Sequence, residues 1–184
     1  MAFALRIAGR HDVPALEALI PVSTRELQAA YYSPAQIDGA LGSVFAVDRQ
    51  LIADGTYFVV EDGDIIVGCG GWSKRKTLFG GDQGRPASED ALLDPSSEPA
   101  RIRAFFVHPQ WARRGIGTLL LRECERAAMA SGFRSLELVA TLAGVPLYAA
   151  GGFRAIEHFE IPLVTGGRMP AVRMSKLVVG ASPD

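Results

Sequence analysis

The stretch that decides the fold is Phe105-Phe106-Val107-His108-Pro109-Gln110-Trp111-Ala112-Arg113-Arg114-Gly115-Ile116-Gly117-Thr118. Ile102 to Val107 is an apolar run closed by Pro109, so it reads as a strand. A turn follows, then a helix that opens on two glycines. The first turn of any helix leaves backbone N–H groups without intrahelical partners, and the helix dipole adds positive potential there. Glycine lets a ligand come close to the main chain, and Arg113 and Arg114 add charge just outside. The combination is suited to holding a phosphate or pyrophosphate. On the residues alone, a plain strand-to-helix turn with two solvated arginines is an equal reading. Two other phosphate motifs are excluded: no G-x-x-x-x-G-K-[ST] occurs, and Leu120 stands where G-x-G-x-x-G needs its last glycine.

The helix entered at Ile116 is the strongest in the chain. Ile116, Leu119, Leu120, Cys124, Ala127 and Ala128 share one face, and Arg122, Glu123, Glu125 and Arg126 take the other. Gly132 ends it. A strand over Leu136–Val139 follows, and its crossover places it near the strand ending at Val107. Pro146–Ala150 reads as a short helix stopped by Gly151-Gly152. Phe153–Leu163 and Ala171–Val178 form a last strand pair around Gly166-Gly167.

Upstream, Phe3–Ile7 reads as a first strand. Asp12 is placed to cap a helix from Val13 to Leu27, interrupted at Pro21. Ser33-Pro34 starts a second helix that is predicted to run from Ala35 to about Gln50. Thr56–Val60 and Ile65–Trp72 form a hairpin around Asp62-Gly63. Gly80–Pro99 reads as a long loop with a short helix near Ser88–Leu93. The order β-α-α-β-β-loop-β-α-β-α-β-β implies a mixed α/β sheet with helices on both faces.

The 184 residues suit one domain, expected to span 1–184. With 48% hydrophobic and 21% charged residues the composition is globular, which excludes a disordered or fibrous chain. Nineteen basic against twenty acidic residues, net −1, argue against nucleic-acid binding by bulk charge. No signal peptide or membrane span is read from the sequence. Cys69 and Cys124 make no disulfide framework and read as small buried hydrophobes, which fits a reducing, cytoplasmic setting. The three histidines, His11, His108 and His158, show no ligand spacing, so no metal is expected. His108 reads as a turn residue.

Tyr148 is the second chemical element. On its short helix it can face the sheet edge near the cradle, where a phenol can donate a proton to a leaving group. Packing in the core with a satisfied hydroxyl is the competing reading.

Val107-His108-Pro109, then Ala112-Arg113-Arg114-Gly115-Ile116-Gly117, then Tyr148 four residues before Gly152-Phe153, together resemble the GNAT superfamily of N-acetyltransferases. The last strand, with Arg173-Met174-Ser175-Lys176-Leu177, is similar too. The resemblance is carried by the second half of the chain; the first half agrees in element order. It implies an acyl-CoA N-acyltransferase-like fold, a mostly antiparallel sheet of six to seven strands flanked by helices. It implies acetyl-CoA as co-substrate, its pyrophosphate held at Arg113, Arg114, Gly115, Ile116, Gly117 and Thr118, and its pantetheine arm along Phe105, Phe106 and Val107. Tyr148 would protonate the CoA thiolate as an amine attacks the thioester directly. The acceptor implied is a primary amine of a small molecule or peptide, and a homodimer is a further expectation.

Two positions depart from the pattern. Ala112 replaces the usual Gln or Arg, and Thr141-Leu142-Ala143-Gly144 offers no Asn, leaving the Thr141 hydroxyl as a substitute. Glu137 is a candidate general base, with a surface carboxylate as the competing reading. Tyr31, Tyr32, Trp72, Arg103, Glu157, Glu160 and Arg168 are candidates to line the acceptor pocket, and Glu157 and Glu160 are the ones that would attract a cation. Transfer of a longer acyl group, or a catalytically weak acyl-CoA-binding or regulatory module of the same fold, are the alternatives.

Overall fold

The computed structural model describes residues 2–81 and 86–178. A single sheet of seven strands organises them: β1 (Ala4–Ile7), β2 (Tyr57–Asp62), β3 (Ile65–Ser73), β4 (Ala100–Val107), β5 (Ser135–Thr141), β6 (Arg154–Pro162) and β7 (Arg168–Leu177), in the spatial order β1-β2-β3-β4-β5-β7-β6. All neighbours are antiparallel except β4 and β5. The helices are α1 (Val13–Leu27), α2 (Pro34–Ala40), α3 (Arg49–Ala53), α4 (Ile116–Ala130) and α5 (Val145–Ala150).

Strand alternation sends side chains to both faces, and each face buries its own core. Leu136, Leu138, Val172 and Met174 pack with Ile116, Leu120 and Cys124 of α4 and with Tyr148 of α5. On the other face Tyr57, Val59, Cys69, Met169 and Ala171 pack with Leu16, Leu19 and Ile20 of α1, Ile37 of α2 and Leu51 of α3. The mixed, mostly antiparallel sheet with helices on both sides is the fold expected.

The first half corrects several expectations. Helix α1 runs unbroken from Val13 to Leu27 with Pro21 inside it. Its apolar face (Leu16, Leu19, Ile20) is anchored on the sheet, and this tertiary packing outweighs the backbone hydrogen bond that Pro21 cannot make. Asp12 makes no side-chain cap. Its carboxylate turns back to both terminal nitrogens of Arg6 at 2.8 Å and to the Gly9 N–H at 2.7 Å. The single helix read over Ala35–Gln50 is two. Leu41 is extended and Gly42 is left-handed at φ 83°, so α2 stops. Asp48 then caps α3, accepting from the amides of Gln50 (3.0 Å) and Leu51 (3.2 Å). Ser33 does cap α2 in a reciprocal pair with Gln36. The short helix near Ser88–Leu93 is a single 3-10 turn, Ala87–Asp90.

The feature that positions the site is the junction of β4 and β5. They pair only at Ala100–Leu136 and Arg101–Glu137 and then part. The cause lies in β4. Its register against β3 slips between Cys69 and Gly71, and Ala104 sits at φ 56° in a bulge. A non-glycine residue there costs about 1–2 kcal/mol. The fully buried Tyr57 offsets this by donating its hydroxyl to the Ala104 carbonyl at 2.9 Å. Opposite the bulge Gly70 leaves room for Phe105, because a Cβ at 70 would stand 2.4 Å from that ring.

Among the described residues no helix is long and apolar enough to cross a membrane.

Candidate active site

A cavity of about 690 Å³ runs through the gap between β4 and β5. On the α4 and α5 side its wall is made by Phe105, Val107, Ala112, Arg113, Gly115, Ile116, Gly117, Thr118, Leu147 and Tyr148. On the α1 side it is made by Leu27, Gln28, Tyr31, Phe45, Phe79, Arg103 and Met169. Phe106 also lines it.

The loop before α4 is shaped by its backbone. Arg113 is left-handed at φ 63° and Gly115 at φ 86°. Two such residues in three turn successive amides toward one side, as in an anion-binding nest. The first intrahelical hydrogen bond runs from the Leu119 N–H to the Gly115 carbonyl at 2.9 Å. The amides of Ile116, Gly117 and Thr118 therefore have no acceptor within the helix. A Cβ at Gly115 would meet nothing within 4 Å, so the space above it is open. Gly117 lies under Leu147, whose side chain a Cβ would approach to 2.9 Å. Trp111 ties the loop to the rest of the sheet by donating its indole N–H to Asp62 at 2.8 Å. His108 is a turn residue as read: its Nδ1 accepts from the Gln110 amide at 3.3 Å, and its ring packs edge-on against Trp111.

The expected pyrophosphate and pantetheine residues converge with one exception. Phe105, Phe106, Val107, Arg113, Gly115, Ile116, Gly117 and Thr118 all line the cavity. Arg114 is exposed and stands outside its wall. The Val107 amide donates to the Ser23 hydroxyl of α1 at 3.2 Å, a long bond at the mouth of the gap.

Tyr148 is buried and lies in the same wall. Phe105 and Phe153 hold its ring at 6.0 Å each. Burial pushes its phenol well above the ordinary range, so the group is protonated at neutral pH. Among the described residues no hydrogen bond fixes its hydroxyl. Thr141, also in the wall, accepts through Oγ1 from Gln28 Nε2 and from the Gly144 amide, both at 3.2 Å.

Glu137 is neither a surface carboxylate nor part of the cavity wall. It is 3% exposed, and its two oxygens are held by Arg101 and Arg173. It braces the sheet at the last paired position before β4 and β5 separate. Of the residues expected around the acceptor, Tyr31 and Arg103 are in the wall. Tyr32 is buried structurally, donating to the Pro170 carbonyl (2.7 Å) and accepting from the Leu142 amide (2.9 Å). Trp72 packs on Phe133 in the α4 core. Glu157 and Glu160 pair across the last hairpin with Arg173 (3.6 Å) and Arg168 (3.7 Å), away from the cavity. Phe45 and Phe79 were not singled out by the sequence; both sit in irregular segments without a motif.

The two cysteines are free and buried, as read. Burial pushes the Cys69 thiol up to about 12, so it is inert as a nucleophile. Among the described residues no group of three or more His, Cys, Asp or Glu is placed to hold a metal ion.

No curated protein sequence matches the chain. Solved structures do. A GCN5-related N-acetyltransferase from Rhodopseudomonas palustris superimposes with a TM-score of 0.71 at 21% identity, covering 97% of each chain. PaiA N-acetyltransferase from Thermoplasma acidophilum in complex with coenzyme A gives 0.65 at 14%, covering 96% of this chain and 99% of that one. The putative acetyltransferase YncA from Salmonella typhimurium with its cofactor acetyl-CoA gives 0.60 at 15%, covering 100% and 98%. At such identities these likenesses establish the fold alone. The family model described as acetyltransferase (GNAT) family matches residues 22–153, most of the chain and all of the segment that builds the gap, the loop and Tyr148. The chain belongs to the GNAT acetyltransferase family.

Proposed function

We propose that the protein is an acetyl-CoA-dependent N-acetyltransferase that moves the acetyl group directly onto a primary amine of a small molecule or peptide. The observation that carries this reading is one cavity that joins the amide-lined loop, the unpaired edge of β4 and the Tyr148 phenol. The loop fits a pyrophosphate by its chemistry. Three amides without helical acceptors, two left-handed residues and the side chain of Arg113 all favour anionic oxygens there. Because these donors are main chain, Ala112 removes one side-chain contact and leaves the cradle. Beyond Arg101 the unpaired edge of β4 supplies main-chain groups for an extended amide-bearing arm.

Acetyl-CoA brings the activated thioester. As the amine nitrogen bonds to the carbonyl carbon, the carbon–sulfur bond breaks and charge collects on sulfur. Tyr148 gives its hydroxyl proton to that sulfur and is later reprotonated from solvent. An apolar surrounding raises the proton affinity of a thiolate as it raises that of the phenol, so both shifts run in the same direction. No carboxylate lines the cavity among the described residues, so water takes the proton lost by the amine. Two free, buried thiols support a cytoplasmic setting.

The test is calorimetry with acetyl-CoA beside NAD, followed by thiol release over an amine library. Micromolar acetyl-CoA binding without NAD binding is expected. Tyr148→Phe is expected to keep that affinity within about twofold and to lower kcat about 100-fold. A wild-type protein that binds acetyl-CoA but releases no thiol with any amine would make it an acyl-CoA-binding module instead.

A further inference from the structure

The two halves of the cavity differ in character. The α4 half carries the main-chain amides of the loop and Arg113 beside Phe105, Leu147 and Tyr148. The α1 half is walled mainly by Leu27, Tyr31, Phe45, Phe79 and Met169, with the neutral amide of Gln28 and the Arg103 guanidinium beside them. Phe79 reaches this wall from the irregular segment after β3 and rests on Phe159 of β6 at 6.2 Å. It is 37% exposed, and Tyr31 in the same wall is half exposed, so both rings are open to solvent as well as to the cavity.

Among the described residues this half has one cation, and it is already matched. Arg103, 2% exposed at its side chain, pairs with Asp48 at 2.8 Å and donates to the Gly80 carbonyl. Asp48 is fully buried and is not itself in the wall. Among the described residues the wall therefore carries no anionic side chain. A second ammonium on the acceptor would meet there, among the described residues, only neutral side chains and the Arg103 guanidinium, which is strongly disfavoured. An aromatic body would instead add ring contacts to Tyr31, Phe45 and Phe79.

From this we infer that the acceptor is a small arylalkyl monoamine, one basic nitrogen on an uncharged aromatic body, and that Phe79 selects it. The inference rests on the acetyltransferase reading and adds the substrate class. Diamines and polyamines are disfavoured by the same wall.

The experiment uses the full chain, with 2-phenylethylamine against butane-1,4-diamine. Thiol release gives kcat/KM, and calorimetry on protein saturated with CoA gives amine affinity without turnover. The aromatic amine is expected to exceed the diamine by at least about tenfold in both readouts. Phe79→Ala is expected to lower kcat/KM for 2-phenylethylamine about tenfold, with acetyl-CoA affinity unchanged and the diamine value unmoved. Phe79→Leu, which restores apolar bulk, is expected to recover part of the loss. Equal or better use of the diamine, or a Phe79→Ala loss that is the same for both amines, overturns the inference while acetyl-CoA binding leaves the proposed function standing. Failure of the wild-type protein to bind acetyl-CoA overturns the proposed function and this inference together.

Discussion

Replacing Tyr57 by Phe removes one oxygen and tests whether the gap between β4 and β5 is held open by the bulge. The phenol is fully buried, and the change removes its 2.9 Å bond to the Ala104 carbonyl together with its contact to the Cys69 thiol. Leaving a buried carbonyl without a donor costs about 1–3 kcal/mol, and Ala104 is half-buried, so the lower half of that range applies. Ala104 at φ 56° stores about 1–2 kcal/mol of strain, part of which is released if the bulge relaxes. The net loss of stability is then about 1 kcal/mol, a fall in Tm of about 2–4 °C for a chain of this size. A relaxed bulge lets β4 close toward β5. If closure takes back a comparable free energy from acetyl-CoA binding, affinity falls about fivefold, since 1.4 kcal/mol is a factor of ten. The assays are thermal unfolding and calorimetry with acetyl-CoA on the same preparation. An unchanged Tm with unchanged affinity would refute the reasoning, and so would a full 3 kcal/mol loss with affinity untouched (~3 kcal/mol being the whole orphan-carbonyl cost).

Glu137→Ala strands Arg101 and Arg173, and a loss of about 3 kcal/mol in urea denaturation is expected, at the low end for a broken buried pair because Arg173 is a third exposed; acetyl transfer per folded molecule should keep its pH profile, since Glu137 is outside the cavity wall. The Arg6 guanidinium, with the Gly9 amide, lowers the Asp12 carboxyl from 3.8 to about 2, so its contribution is present above the unfolded value and lost as pH falls from about 4 to about 2. Asp12→Asn is therefore expected to cost about 2 kcal/mol at pH 7, with the gap to the parent closing by pH 2 in denaturant titrations. Gly115→Ala meets no atom but must hold φ 86°, so a cost of about 1–2 kcal/mol and a severalfold weaker acetyl-CoA affinity are expected by calorimetry.

Much of this was legible in the sequence where one period or one motif dominates. Helix α4 announces itself because an amphipathic face of fifteen residues has a single way to pack. The loop from Ala112 to Thr118 was readable because left-handed backbone needs glycine, though nothing marked Arg113 as left-handed too. The first half was harder. Pro21 signals a break by its own chemistry and is overruled by the packing of Leu16, Leu19 and Ile20. The stop at Gly42 and the new cap at Asp48 were present as residue types but compete with a run that also suits one helix. The acidic candidates lie outside the wall for a different reason. Glu137, Glu157 and Glu160 are identical as letters, and only the register of β5, β6 and β7 decides which arginine each one meets. Phe45 and Phe79 enter the cavity from irregular segments, where no period exists to assign a face.

The parting of β4 and β5 has a bearing on how the protein behaves in a crowd. A strand edge with unused hydrogen-bonding groups invites another chain to add itself, and proteins guard such edges with charge or proline. The outer edges here follow that practice: β1 is only four residues long, and β6 carries Arg154, Glu157, His158, Glu160 and Pro162. The edge of β4 beyond Arg101 ends on Phe105, Phe106 and Val107, and its charge, Arg103, is buried against Asp48 instead of facing solvent. It is shielded by position, inside a cleft walled by residues of α1 and α5. The molecule thus keeps a sticky strand in its middle, where a slender thread can lie alongside it and a misfolded neighbour cannot.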